Sequence, residues 1–266
     1  VLFRSIAQKG QKSRVIFSGL PMGHEFTSFI LALLQVSGRP PKVDEDTIER
    51  IKKIDKPIDL ETYVSLTCHN CPDVVQAFNI MAVLNPNITH TMIEGGMYQD
   101  EVKAKGIMSV PTVYKDQEEF TSGRATIEQL VEKLDGPLDA DAFADKGVYD
   151  VLVIGGGPAG NSAAIYAARK GLKTGLLAET FGGQVIETVG IENMIGTLYT
   201  EGPKLMAQVE EHTKSYDVDI IKSQLATGIE KKELIEVTLA NGAVLKSKTA
   251  ILALGAKWRN INVPGE

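Results

Sequence analysis

Apolar residues first recur at helical spacing in Phe26, Phe29, Ile30, Leu33 and Leu34, and Gly38 with Pro40-Pro41 closes the run, so a core-facing helix is expected there. Ile48, Ile51 and Ile54 oppose Glu49, Arg50, Lys52 and Lys53, which predicts a second helix over 46–54 with a solvated outer face. From Lys56 the pattern becomes regular. A strand over 60–66 leads through a cysteine-bearing turn into a helix over 72–84 that buries Val74, Val75, Phe78 and Met81. A strand over 88–93 and a short helix over 98–105 follow. Thr112–Tyr114 and Glu119–Thr121 then read as a hairpin across Asp116-Gln117, ahead of a helix over 126–134. This βαβαββα succession suits one small mixed sheet covered by helices.

Residues 135–147 (DGPLDADAFADKG) break the periodicity and read as an interdomain linker. A new βαβ unit starts at Tyr149, and a helix over 202–216 and short strands with an Asn241-Gly242 hairpin come after it. At 266 residues the chain has room for two cores. The partition expected is a lead-in over 1–55, a small mixed domain over 56–134, the linker, and a second α/β domain over 148–266.

A 43% apolar and 23% charged composition is that of a globular protein. A net charge of −6 in short clusters works against binding a phosphate backbone, so no nucleic-acid partner is expected. The longest apolar run, Phe29–Leu34, is too short to span a bilayer, and the start lacks a signal-peptide succession, so no membrane partner and a cytoplasmic location are expected. Val1 is not an initiator, and the chain stops in a turn sequence, Val263-Pro264-Gly265-Glu266, so both ends look cut.

Gly155-Gly156-Gly157-Pro158-Ala159-Gly160 lies between the strand run 151–154 and a helical stretch 161–169. In a dinucleotide-binding βαβ unit Gly155 permits the tight turn, Gly157 lets a pyrophosphate approach the backbone, and Gly160 lets the helix pack on the strand. The diphosphate would sit at the helix N-terminus. A second strand over 174–178 ends in Glu179, placed to accept hydrogen bonds from unphosphorylated ribose hydroxyls. The competing reading is a glycine-rich turn in some other α/β protein.

The only cysteines form Cys68-His69-Asn70-Cys71, between a strand and a helix with Pro72 in its first turn. That spacing allows a small reversible disulfide, and a helix N-terminus favours the thiolate of Cys68, which attacks while Cys71 resolves. Zinc would need two more soft ligands, and His24, His69, His90 and His212 show no paired spacing, so no metal is expected. A structural cysteine pair stays open on these residues alone. Val110-Pro111 before Thr112, if cis, would bring backbone to the cysteines and shape a substrate groove; an ordinary edge-strand proline reads the same way. His69 either tunes the redox potential or faces water. Met81, Met92, Met97 and Met108 read as core filler, and Trp258 as a surface-packed indole.

Phe181-Gly182-Gly183-Gln184, Ile191-Glu192-Asn193 and Ala253-Leu254-Gly255-Ala256, taken with the glycine motif, resemble the first FAD segment of the thioredoxin reductase class, although Leu254 stands where that class usually has threonine. Joined to a Cys-His-Asn-Cys domain and to Met22-Gly23-His24-Glu25-Phe26-Thr27-Ser28, the pattern is similar to the flavoprotein subunits of alkyl hydroperoxide reductases over nearly the whole chain. The resemblance implies an α/β fold: a thioredoxin-like domain followed by an incomplete Rossmann-like FAD domain, with residues 1–55 as the end of a first thioredoxin-like half. It implies FAD contacts from the glycine loop, Glu179, Gly182, Gly183, Gln184, Asn193, Gly255 and Ala256. It further implies electrons passing from NADH, bound outside this chain, through FAD and the Cys68-Cys71 dithiol to a peroxiredoxin, and a homodimer at full length. Rival readings are a fused thioredoxin and thioredoxin reductase acting on general protein disulfides, and a non-catalytic redox-sensing nucleotide-binding module.

Overall fold

A computed structural model describes residues 3–256, and these divide into two compact units between Gly136 and Pro137. Trp258 and the closing turn sequence lie outside the described residues.

The first unit runs β1 (Phe3–Ile6), β2 (Val15–Ser18), a 3-10 turn Gly23–Glu25, α1 (Phe26–Val36), α2 (Glu45–Lys53), β3 (Ile58–Val64), α3 (Cys71–Leu84), β4 (Ile88–Glu94), α4 (Gln99–Ala104), β5 (Thr112–Lys115), β6 (Glu118–Ser122) and α5 (Ile127–Asp135). Its six strands take the order β1-β2-β4-β3-β5-β6, with β2, β4 and β3 mutually parallel and the other pairings antiparallel. Residues 3–55 therefore share one sheet with 56–135, through the β2–β4 pairing. α3 is the central helix: Val74, Val75, Phe78 and Met81 are fully buried on Phe17, Leu60, Ile88 and Met92. Asp116 and Gln117 both take positive φ, +50° and +73°, at the turn between β5 and β6, a conformation that suits the right-handed twist of a two-residue hairpin. Thr126 starts α5 with a reciprocal capping box to Gln129.

Two expectations need correction. α1 does form, but its fully buried residues are Ser28 and Ala32; Phe29 is half-buried edge-on against Phe17, whereas Phe26 is 50% exposed and Ile30, Leu33 and Leu34 are also exposed. Small side chains let α1 approach α3 closely, and that approach decides which face turns inward. Among the methionines, Met81 and Met92 fill the core as expected, but Met97 is exposed and Met108 is 93% exposed on a loop.

The second unit runs from a 3-10 turn Ala140–Lys146 through β7 (Val148–Ile154), α6 (Pro158–Ala168), β8 (Thr174–Ala178), a 3-10 turn Gly183–Glu187, α7 (Gly202–Lys214), β9 (Val218–Lys222), β10 (Ala226–Lys231), β11 (Ile235–Leu239) and β12 (Val244–Leu252). The sheet order is β10-β11-β12-β7-β8-β9: β12, β7, β8 and β9 are parallel, and β10–β11–β12 form an antiparallel meander on one side. Every residue of β8 is buried, as befits a parallel strand covered on both faces. The stretch read as a linker packs on this unit, with Phe143 buried in its core, Leu138 beside it, and Leu138 O accepting from Asn241 Nδ2 at 2.8 Å.

Candidate functional sites

Cys68 and Cys71 form a disulfide with Cα atoms 5.5 Å apart. Cys71 opens α3, fully buried, and its backbone N–H donates to Cys68 Sγ at 3.1 Å. Cys68 is only partly buried, and His69 and Asn70 beside it are exposed. Pro72 fits this first turn because it gives up an N–H that has no intrahelical partner there. Cys68, just before the first turn of α3, is the more accessible of the two sulfurs, and a helix N-terminus favours a thiolate at such a position. The Val110-Pro111 peptide is cis, and Val110 O lies 3.7 Å from Cys68 Sγ.

Two residues of the Gly23–Glu25 turn join this site. His24 N donates to Leu66 O at 3.2 Å, and its imidazole packs on that of His69 with ring centroids 4.1 Å apart. Glu25 is fully buried where the turn packs against α3. Burial pushes its carboxyl up to about 7; the Asp73 carboxylate adds to this, and the nearby Ser28 hydroxyl opposes it. Neither carboxyl oxygen makes a hydrogen bond of good geometry. Sequence reasoning missed Glu25: an acid in a Gly-His-Glu turn reads as solvated, and only packing between distant segments buries it.

In the second unit the glycine loop joins β7 to α6. Gly155 has φ +121°, and a Cβ there would lie 2.0 Å from Ala253 O; a Cβ on Gly160 would lie 1.8 Å from Gly155 O. Both positions thus require glycine. At Gly157 the opposite holds: a Cβ would meet nothing within 4 Å, which leaves room over the backbone. Pro158 and Ala159 are exposed in the first turn of α6 and Gly156 is buried. The carboxyl ends of β12, β7 and β8 converge on this loop, since Ala253 N donates to Ile154 O and Gly155 N to Leu177 O, both at 2.8 Å. Glu179, exposed, directly follows β8, and Gly255 and Ala256 follow β12. Gly182 N donates to Gly156 O at 2.8 Å, and Gly183 sits against Gly157, so the 180–184 loop with Gln184 is tied to the glycine loop. Asn193 is exposed on the loop closed by the Ile191–Thr200 pairing.

A crevice outside the carboxyl ends of parallel strands, lined by backbone at a helix N-terminus, is the chemistry that a dinucleotide diphosphate requires. Among the described residues no cluster of His, Cys, Asp and Glu is arranged to hold a metal ion, and no helix is long and apolar enough to cross a membrane.

Comparison with known proteins gives a match to the pyridine nucleotide-disulphide oxidoreductase model over residues 149–266 and to the thioredoxin domain model over residues 59–135. A Bacillus subtilis protein named NADH dehydrogenase is 61% identical over 98% of this chain and 52% of its own length. A Pseudomonas aeruginosa protein named as a subunit of alkyl hydroperoxide reductase is 52% identical over 98% of this chain and 52% of its own length. Among solved structures, the C503A mutant of the Enterococcus faecalis alkylhydroperoxide reductase protein AhpF is 32% identical over 50% of this chain and 64% of that one, with a TM-score of 0.47. The chain spans about half the length of the curated relatives it matches.

Proposed function

We propose, for a chain that joins a thioredoxin domain to a pyridine nucleotide-disulphide oxidoreductase domain, that it is the dithiol and flavin-binding portion of an NADH-dependent reductase whose electrons leave through Cys68 and Cys71 to a peroxiredoxin disulfide. The observation that carries this is the reachable Cys68, paired with a buried Cys71 at the mouth of α3, on a chain similar over 98% of its length to proteins named as subunits of alkyl hydroperoxide reductase. The name of the Bacillus subtilis relative concerns the oxidation of NADH, which is the supply end of the same route.

In the reduced protein the Cys68 thiolate attacks one sulfur of the partner's disulfide and releases the other as a thiolate. Cys71, having given up its proton, then attacks Cys68 Sγ. The Cys68–Cys71 disulfide closes, and the partner leaves with both electrons as a dithiol. A carboxyl held near pKa 7 beside the first turn of α3 suits Glu25 to take the Cys71 proton and return one to the departing sulfur at neutral pH. Val110 O beside Cys68 offers backbone to an extended partner segment.

FAD, when bound, supplies the exchange between two-electron hydride chemistry and disulfide reduction. The cradle fits its ADP half: the open backbone at Gly157 and the N-terminus of α6 would take the diphosphate, and Glu179 the ribose. Gly182, Gly183, Gln184, Asn193, Gly255 and Ala256 would complete the cofactor contacts. NADH would bind outside this chain. The same reading has the full-length protein homodimeric and cytoplasmic, without a nucleic-acid partner.

The Cys71→Ser variant, reduced and mixed with a purified bacterial peroxiredoxin in its disulfide form, should accumulate a stable mixed disulfide through Cys68 on a non-reducing gel, well ahead of any adduct with insulin. Equal reaction with both would favour a general protein-disulfide reductase, and no adduct with either would overturn the proposal.

A further inference from the structure

The glycine loop is held from the inside by a side chain that the motif does not demand. Asn161, fully buried in the first turn of α6, donates from Nδ2 to Gly156 O at 2.7 Å and to Gly157 O at 3.0 Å. Its Oδ1 accepts from the Thr213 hydroxyl at 2.8 Å. Thr213 is also fully buried, near the end of α7, and the same hydroxyl is 2.9 Å from Val209 O. Gly156 O accepts a second bond from Gly182 N.

These contacts fix one peptide plane. A trans peptide carries its C=O and N–H on opposite sides. With the Gly156 carbonyl drawn inward by Asn161 and Gly182, the N–H of Gly157 is turned the other way, at the position where the backbone stands open. A donor aimed in advance at an incoming anion costs no reorientation when the anion binds.

We propose that Asn161, braced by Thr213, is a positioning residue for the diphosphate of a bound dinucleotide: it holds the 156–157 peptide with its N–H facing the ligand. This rests on the reading of the glycine loop as a dinucleotide cradle. The pair also pins α6 to α7, so the test must separate anion recognition from packing, and it uses ADP and adenosine, which share the base and ribose and differ in the diphosphate.

Asn161→Ala should weaken ADP binding to the chain roughly tenfold in calorimetric titration, and Thr213→Val about threefold, while adenosine, measured by competition, binds both variants as it binds wild type. If Asn161→Ala fails to fold, Thr213→Val decides alone, because it removes only the brace. Wild-type ADP affinity in the variants would overturn the proposal, as would equal losses for ADP and adenosine. Should wild type bind no ADP, the cradle reading falls, and this proposal with it.

Discussion

Glu25 and His90 are buried groups whose charge the fold suppresses, and their effects on stability run in opposite directions with pH. His90 lies between Thr62 Oγ1 and Asn79 Oδ1, each 2.8 Å from a ring nitrogen, and burial drives its pKa down from 6.5 to about 3. The unfolded chain therefore takes up a proton below pH 6.5 that the folded chain refuses, and stability falls as pH drops through that window. Glu25 offsets this group in wild type over the same window, so the effect is read as a difference: the stability of wild type relative to His90→Gln should fall by about 2 kcal/mol between pH 7 and pH 5 in denaturant melts. Glu25 acts the other way. Its carboxyl is raised from 4.5 to about 7, so its contribution is complete below pH 4.5 and is lost as pH rises through 7. Glu25→Gln should match wild type at pH 4 and exceed its stability by about 1–3 kcal/mol at pH 8. The same variant should lower the rate of dithiol transfer and erase its inflection near pH 7; an unaltered pH profile would remove Glu25 from the mechanism. Cys68 and Cys71 were legible in the sequence because their chemistry is local, three positions apart before a helix. Glu25 was not, because a segment distant along the chain buries it, and Asn161 was not, because the Thr213 that orients its amide is 52 positions away.

Single elements show where pattern reading succeeds and where packing overrides it. The hairpin at Asp116-Gln117, the helix α5 and the βαβ unit around the glycine loop were all legible, because turn residues, apolar periodicity and buried-strand runs are written in adjacent residues. β1 and β2 were not, since four-residue strands carry too few positions to show a period, and they are defined by pairing with each other and with β4. In α1 the helix was legible but not its inward face. Ala32→Leu should therefore destabilise the protein by about 1–3 kcal/mol through overpacking against α3, whereas Leu33→Ser, on the exposed apolar side, should change stability by no more than about 0.5 kcal/mol in thermal or denaturant melts. The reverse ranking would mean that the apolar stripe, and not the small-residue face, is what α1 buries.

At the scale of the whole molecule the two units divide the labour. One presents a disulfide at a helix mouth, with the reachable sulfur ahead of the buried one; the other presents backbone at the ends of parallel strands. The central claim is that two electrons leave this chain through its cysteines to a peroxiredoxin. The most direct measurement is to reduce the chain, remove the reductant anaerobically, add a stoichiometric amount of disulfide-form peroxiredoxin, quench with an alkylating agent and count free thiols on each protein by mass spectrometry. The chain should lose two thiols at Cys68 and Cys71 while the peroxiredoxin gains two. Persistence of both thiols beside an unreduced peroxiredoxin, from a preparation that still reduces a small aromatic disulfide, would contradict the claim.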